Sequence, residues 1–85
     1  MTDQPRKERI ISTEDKHTIK AIADKVKRLR IEQGYSYEGF AAKNNIHRIT
    51  YYKFETGEQN FTASVLIKVI RGLGLSLSEF FQEIK

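Results

Sequence analysis

The sequence predicts an all-α fold in which five short helices pack into one small domain. Apolar residues recur every three or four positions, and no segment shows the two-residue alternation of a strand. Hydroxyl residues precede several of these segments, and glycine or asparagine follows most of them, as at helix termini. The predicted helices, named α1 to α5 in chain order, span about 13–33, 36–43, 47–55, 62–73 and 77–84.

The composition is that of a small folded protein with a basic balance. The chain has 85 residues, 39% of them hydrophobic and 31% charged, and a formal net charge of +4. This length corresponds to one domain, so no separate effector-binding domain is expected. No apolar run is long enough to cross a membrane, and the absence of cysteine excludes disulfides and thiolate chemistry. These features favour a cytoplasmic protein, and the basic balance makes nucleic acid a candidate partner.

The first residues of the chain differ from the remainder. They contain the only proline and the basic run "RKER", and they lack the apolar core and cleavage site of a secretory signal. We therefore expect residues 1–11 to form a flexible basic arm and residues 12–85 to form the domain. The arm could add phosphate or minor-groove contacts to a nucleic acid, although a disordered tail is the commoner case.

α1 is predicted from a capped start and one apolar face. "STED" at 12–15 puts a hydroxyl at the helix start and acids in the first turn, where they interact favourably with the helix dipole. Arg30 falls on the apolar face at about 100° per residue. Because an unpaired buried charge is costly, this arginine requires a partner. The apolar face itself is formed by Ile19, Ile22, Ala23, Val26 and Leu29.

α2 and the turn after it have the form of the first part of a helix-turn-helix. Ser36 can cap α2, and Tyr35 can pack onto Phe40 across the first turn. Asn44 and Asn45 form a short connection to α3, and asparagine tolerates the left-handed backbone that a tight turn can require. The inward face of α2 is expected to consist of Tyr37, Phe40 and Ala41.

α4 is expected at the centre of the molecule because it is apolar on nearly all sides. Thr62 can cap its start, and Gly72 and Gly74 are expected to end it. Its apolar residues are Val65, Leu66, Ile67, Val69, Ile70 and Leu73.

α5 opens with "SLSE" at 76–79, which has the form of a capping box. We expect Leu77 and Phe80 to close the core, and Phe81 or Ile84 to contact a second subunit. The alternative that all four are core residues remains open at this point.

α3 carries more large apolar groups than a small surface helix needs. Within "AAKNNIHRITYYKFETG", Tyr51 and Phe54 point to one side, together with His47 and Glu55. The helix therefore has an inward side that belongs to the core and an outward side free for another role. The outward side consists of Ile49, Tyr52, Lys53 and Thr56, flanked by Arg48 and Thr50.

Two charged residues fall on inward helix faces. Glu55 lies on the inward side of α3 and Arg30 on that of α1, so each supplies the partner that the other lacks. We therefore predict an ion pair between Arg30 and Glu55 that joins α1 to α3. The alternative is that one or both side chains extend to water.

The outward side of α3 is the candidate functional surface. Its arginine and lysine can donate to guanine and phosphate, and its isoleucine and tyrosine offer apolar surface for a thymine methyl group. A solvated face with two stray apolar groups is one alternative. Another is a protein-binding surface formed by Ile49, Tyr52 and Tyr37. A steep dependence of binding on salt concentration would argue against this alternative.

From Ile22 to Ile84 the sequence resembles the Cro and phage-repressor (XRE-like) type of helix-turn-helix DNA-binding proteins. The match rests on the order and spacing of several motifs. They are Arg30 before the first loop, Ala41 in α2, the series Phe54, Glu55 and Gly57 at the end of α3, and the segment "LGLSLSEFF".

The resemblance implies a lambda-repressor-like domain in which α3 lies in the DNA major groove and α2 crosses the backbone. It implies a sequence-specific transcription regulator, expected to act as a repressor, that binds a pseudo-palindromic duplex site as a homodimer. In this family the residues matching Arg30 and Glu55 form a structural ion pair. Base-reading positions match Arg48, Ile49, Tyr52 and Lys53, a phosphate-contacting position matches Thr50, and Tyr37, Lys43 and His47 complete the expected DNA-binding set.

Four positions depart from the family pattern. Tyr37 stands where α2 usually has glutamine, and Asn45 stands at a position that is frequently glycine. His47 replaces the usual serine or threonine cap of α3, and Glu58 lies in a loop that is often basic. These departures bear on the affinity and on the way in which a DNA sequence is read, not on the fold.

Other chemistry has weak support in the sequence. His17 and Glu14 share a helix face, but two candidate ligands without a third do not make a metal site. There is neither a nucleophile elbow nor a glycine-rich nucleotide loop. We therefore expect no catalytic site, no metal and no cofactor.

Overall fold

A computed structural model describes residues 13–57, 61–82 and 84. Within them the chain forms five helices and no strand, which confirms the all-α prediction. The predicted arm of residues 1–11 lies outside the described residues, as does Glu58. None of the described helices is long and apolar enough to cross a membrane. The observed helices are α1 Thr13–Glu32, α2 Tyr37–Lys43, α3 Arg48–Thr56, α4 Ala63–Gly72 and α5 Leu77–Phe81.

Three predicted hydroxyl caps define helix starts. The side chains of Ser36, Thr62 and Ser76 each accept a hydrogen bond from the backbone N–H three residues later. At α5 the carboxylate of Glu79 also accepts from the Ser76 N–H at 2.8 Å, so the predicted capping box is present. These side chains satisfy N–H groups that have no partner within the helix.

The predicted end of α5 is wrong by three residues. The helix ends at Phe81 rather than at Ile84. The N–H of Ile84 donates to the Phe81 carbonyl at 3.2 Å, an i→i−3 bond that tightens the last turn and ends the α-helical pattern.

Aromatic and aliphatic side chains from all five helices meet in one core. α3 packs against both α1 and α2, so it is held from two sides. The prediction that α4 is central holds for one face only, because Val65, Leu66 and Ile67 are half-buried. The largest fully buried side chains are Tyr51, Phe40, Phe54, Phe80, Ile70, Val26 and Val69.

The expected burial of Leu77 is wrong. Phe80 is completely buried, but Leu77 is 49% exposed. Leu77 is the first residue of α5 and lines a surface hollow beside Ile67 and Arg71 of α4, so it lies at the rim of the molecule. Because Leu77 is exposed, the alternative that all four residues are core is also wrong. Phe81 and Ile84 are partly buried against the core.

Gly72 was expected to end α4, but it also packs closely against Asn44 of the turn after α2. It is the last residue of α4, and the left-handed residue after the helix is Gly74, with a φ of 82°. A Cβ atom added at Gly72 would overlap the side-chain amide of Asn44. That amide donates to the Phe40 carbonyl at 2.9 Å, so the C-terminal ends of α2 and α4 fit closely together.

Candidate nucleic-acid interface

The turn between α2 and α3 is fixed by its backbone. Asn45 has a φ of 60°, the left-handed conformation that was expected for an asparagine in this turn. The N–H of Ile46 donates to the Ala41 carbonyl at 2.9 Å, and the Ile46 side chain is buried. These contacts fix where α3 begins relative to α2.

The inward side of α3 is the one predicted from the helical period, except that His47, which was expected on this side, is exposed. Tyr51 is fully buried and Phe54 nearly so. The Tyr51 ring lies 5.3 Å from the ring of Phe40 in α2, and the Phe54 ring lies 4.6 Å from that of Phe61. Aromatic packing therefore holds α3 so that its opposite side faces outward.

The predicted ion pair between Arg30 and Glu55 is present and buried. The Arg30 Nε lies 2.6 Å from Glu55 Oε2, and Nη2 lies 2.9 Å from Oε1, a two-bond geometry that suits a guanidinium and a carboxylate. Each side chain is less than a tenth exposed. The alternative that these charges extend to water is therefore wrong.

Two further groups join this pair, and neither was predicted. The Tyr51 hydroxyl donates to Glu55 Oε2 at 2.5 Å, and Arg30 Nη1 donates to the Tyr35 carbonyl at 2.5 Å. The four-residue spacing of Tyr51 and Glu55 on one helix is the sequence signal that could have revealed the first bond. The second depends on the path of the loop after α1, which the helical period does not give.

The buried network shifts two ionisation equilibria. Burial raises the pKa of the Tyr51 hydroxyl, and its hydrogen bond to Glu55 raises that pKa further. The hydrogen bond with Glu55 also raises the pKa of the Arg30 guanidinium. Both residues are therefore held in their protonated forms in the folded protein.

The outward side of α3 combines basic and apolar groups, as predicted from its helical angles. Ile49 is 51% exposed and Tyr52 48% exposed. Arg48, Thr50 and Lys53 are exposed on the same helix. A half-exposed isoleucine and tyrosine between basic side chains form a surface with both apolar contact area and hydrogen-bond donors.

Tyr37 extends this surface from α2. It is half-buried, and its ring centroid lies 5.5 Å from that of Tyr52, with the two planes tilted by 53°. Together with Arg48 and Ile49, the two tyrosines line a hollow of about 240 Å³. The helical period of either helix alone does not reveal this hollow, because it depends on how α2 and α3 are placed.

His47 is the N-cap of α3. Its Nδ1 accepts a hydrogen bond from the Ile49 N–H at 3.3 Å. Because Nδ1 is the acceptor, the neutral ring carries its proton on the other nitrogen, which remains available as a donor. The expected place of His47 in the DNA-binding set is thus compatible with its capping role.

Lys43 lies at the end of α2 and contacts Tyr35. Its Nζ donates to the Tyr35 hydroxyl at 2.5 Å and lies 4.7 Å from the centroid of that ring. The Tyr35 ring in turn contacts Phe40 edge-on, which confirms the predicted packing across the first turn of α2. Lys43 is therefore exposed but held by an aromatic residue.

Comparison with known proteins identifies the family. The helix-turn-helix family model matches residues 26–80. The chain is 40% identical over 63 residues to the control protein C.MunI of a Mycoplasma species, covering 73% of this chain and 85% of that protein. It is also similar to the crystal structure of a mutant of the restriction-modification controller protein C.Esp1396I. That similarity has a TM-score of 0.73 and 25% sequence identity, over 88% of this chain and 90% of the other. The chain therefore belongs to the helix-turn-helix family of DNA-binding transcription regulators.

Proposed function

We propose that this protein is a cytoplasmic, homodimeric regulator of restriction-modification genes that binds a pseudo-palindromic duplex site. The observation that carries the proposal is the outward side of α3, where exposed basic and apolar side chains follow a helix-turn-helix turn. The type of regulator is supported by two similar proteins, which are both controller proteins. These relatives favour a controller over a phage-type regulator or an antitoxin, and we expect repression as its main action.

In the proposed complex, α3 enters the major groove and α2 crosses the backbone. Arg48 and Lys53 donate to guanine and phosphate, whereas Ile49 and Tyr52 contact apolar base edges. This assignment is supported by the exposure of all four side chains on one helix. Four residues flank them as further DNA contacts: Tyr37, Lys43, His47 and Thr50.

The proposed dimer face lies on α4 and α5. Leu77 is half-exposed at the rim of an apolar hollow of about 260 Å³, to which Ile67 and Leu75 also contribute. When two copies meet across a two-fold axis, the exposed leucine of each copy can enter the hollow of the other, so this patch is self-complementary. Phe81 is the last residue of α5 and Ile84 lies beyond its end. Both are partly buried against the core, and we propose that they extend this face.

A second candidate function is a protein-binding module on the same fold. The exposed isoleucine and tyrosine of α3 favour it, because apolar surface of this kind also suits a protein partner. Salt distinguishes the two functions, since phosphate contacts make affinity fall steeply with salt concentration. An apolar protein interface depends on salt only weakly.

In-vitro selection of duplex DNA, repeated with two variants, tests the proposed function. The wild-type protein is expected to enrich a two-fold-related sequence, and Arg48→Ala and Tyr52→Ala are expected to relax the preference at particular positions of each half-site. Lys27→Ala, which changes an exposed lysine of α1, serves as the control and should leave the preference unchanged. Unaltered preferences in both α3 variants would refute the assigned roles.

The basic arm is proposed as an auxiliary contact. Its three basic residues could follow the backbone or the minor groove beside the half-site. Deletion of residues 1–11 should then weaken binding uniformly across sequences and reduce its salt dependence. Unchanged affinity after the deletion would rule out this role for the arm.

A further inference from the structure

The hollow between α2 and α3 lies within the surface proposed to face DNA. Two tyrosine rings, one from each helix, line it and contact each other with their centroids 5.5 Å apart, and Ile49 and Arg48 complete the lining. Its volume of about 240 Å³ is several times that of one water molecule, which occupies about 30 Å³ in the liquid. The hollow can therefore take the edge of a planar group as well as a single small substituent.

The lining is suited to an apolar group next to a hydrogen-bond acceptor. The rings and the isoleucine provide apolar walls, and the exposed guanidinium of Arg48 carries donors at one side. Tyr37 reaches this lining from α2, so the hollow exists only where the two helices meet.

We propose that this hollow binds the methyl group at C5 of a pyrimidine in the major groove, with Arg48 bonded to a neighbouring guanine. Among the four standard bases only thymine carries this methyl group there, and guanine offers the O6 and N7 acceptors that arginine prefers. A 5-methylcytosine presents the same methyl group on a different base. The inference rests on the proposed function, since it requires α3 to lie in the major groove.

The test uses the duplex site obtained by selection and removes single methyl groups from it. Each thymine is replaced in turn by deoxyuridine, which lacks only the methyl, and affinity is measured by fluorescence anisotropy at fixed salt. One position in each half-site should lose affinity by about four-fold, the effect of burying one such group. At that position, the 5-methylcytosine–guanine pair should bind more tightly than the unmethylated cytosine–guanine pair.

Variants link this methyl effect to the hollow. In Ile49→Ala, Tyr52→Ala and Tyr37→Gln the difference between thymine and deoxyuridine should disappear. Ile31→Ala provides a matched control, because Ile31 is 57% exposed on α1 and Ile49 is 51% exposed on α3. This control should retain the full methyl effect, and thermal melting establishes that each variant is folded.

The outcomes separate this inference from the proposed function. If selection enriches no sequence, the proposed function itself fails. If a site is enriched but its affinity is indifferent to every pyrimidine methyl group, only the present inference is overturned. A methyl effect that persists in all three hollow variants also overturns it, because another part of the protein must then contact the methyl group. The comparison of thymine with deoxyuridine and that of 5-methylcytosine with cytosine show which of the two methylated bases supplies the methyl group, or whether both do.

Discussion

The carboxylate of Glu55 accepts three hydrogen bonds from two residues in the core. Arg30 donates two of them and the Tyr51 hydroxyl donates the third. Arg30 also donates to the Tyr35 carbonyl just before α2, so one set of side chains ties α1, the loop and α3 together. Because these charges are buried, their mutual pairing is what makes their burial tolerable. The network therefore positions α3 without taking part in its outward surface.

Removing one member of the ion pair should be far more costly than removing a surface charge. Glu55→Gln and Arg30→Met are each expected to lower the free energy of unfolding by about 3–5 kcal/mol, since each leaves a buried charge without its partner. The double variant should lose less than the sum of the two. Asp24→Asn is the control, because the Lys20–Asp24 pair is 59% exposed on both sides and should contribute at most about 1 kcal/mol. Strictly additive losses in urea denaturation would contradict the coupling.

Tyr51 gives stability a dependence on alkaline pH. Its folded-state pKa is raised by burial and by the bond to Glu55, whereas an unfolded tyrosine ionises near pH ~10. Above that pH the unfolded chain loses a proton that the folded protein keeps, so the free energy of unfolding should fall as pH rises, by up to about 1.4 kcal/mol per pH unit. Tyr51→Phe should cost about 1–3 kcal/mol below pH 10 and abolish this part of the decline.

The control for this experiment is the exposed Tyr52. Tyr52→Phe removes a tyrosine hydroxyl from the outward side of α3, where the side chain is 48% exposed instead of fully buried. Denaturation curves between pH 7 and about pH 11 should therefore retain the alkaline decline in this variant. Equal pH profiles for Tyr51→Phe and the wild type would contradict a role for Tyr51 in the decline.

At the scale of helices, the sequence predicted starts better than ends. Ser36, Thr62 and Ser76 mark helix starts through local hydrogen bonds, which depend on residues only three positions apart. The end of α5 depends on a tightened turn at Ile84, which no local residue pattern announces. The prediction that Leu77 closes the core is wrong for a related reason. The helical period gives the angle of this side chain, but not how far the core extends along α5.

Gly72 provides a test of contact between helices. Gly72→Ala would improve helix propensity by about 1 kcal/mol, yet its Cβ would overlap the Asn44 amide. We expect a net destabilisation of up to about 1 kcal/mol, because the Asn44 amide must give up its bond to the Phe40 carbonyl to clear the added Cβ. In an Asn44→Ala background the overlap is absent, and the same substitution should become neutral or stabilising. Stabilisation by Gly72→Ala with Asn44 intact, measured by thermal or urea unfolding, would contradict the close packing.

Over the whole molecule, the division of α3 into two sides could be predicted from its sequence, whereas the shape of the outward surface could not. The inward positions of Tyr51 and Phe54 follow from about 100° per residue on one helix. The hollow beside Tyr37 needs the distance between two helices, which is set by the turn at Asn45 and by packing in the core. The shape of the candidate surface therefore depends on tertiary structure, even where the helical period assigns its residues to the outward side.

Dimerisation decides whether two copies of this surface act together. Two recognition helices on neighbouring major grooves would lie about 34 Å apart, and linking them makes the second half-site contact effectively intramolecular. A charge placed in the proposed dimer face should therefore weaken DNA binding without touching the outward side of α3. The loss of DNA affinity should be largest at an apolar residue of this face that is exposed in the single chain.

Leu77→Asp is the substitution that meets this condition. It is expected to shift the protein to a monomer in sedimentation and to lower affinity for a full two-fold site, with little change for an isolated half-site. Ile31→Asp is its control, because Ile31 is also more than half exposed but lies on α1. That variant should remain dimeric and bind the full site normally. A wild-type protein that sediments as a monomer at high micromolar concentration, or a Leu77→Asp variant that stays dimeric, would exclude this face as the dimer interface of the free protein.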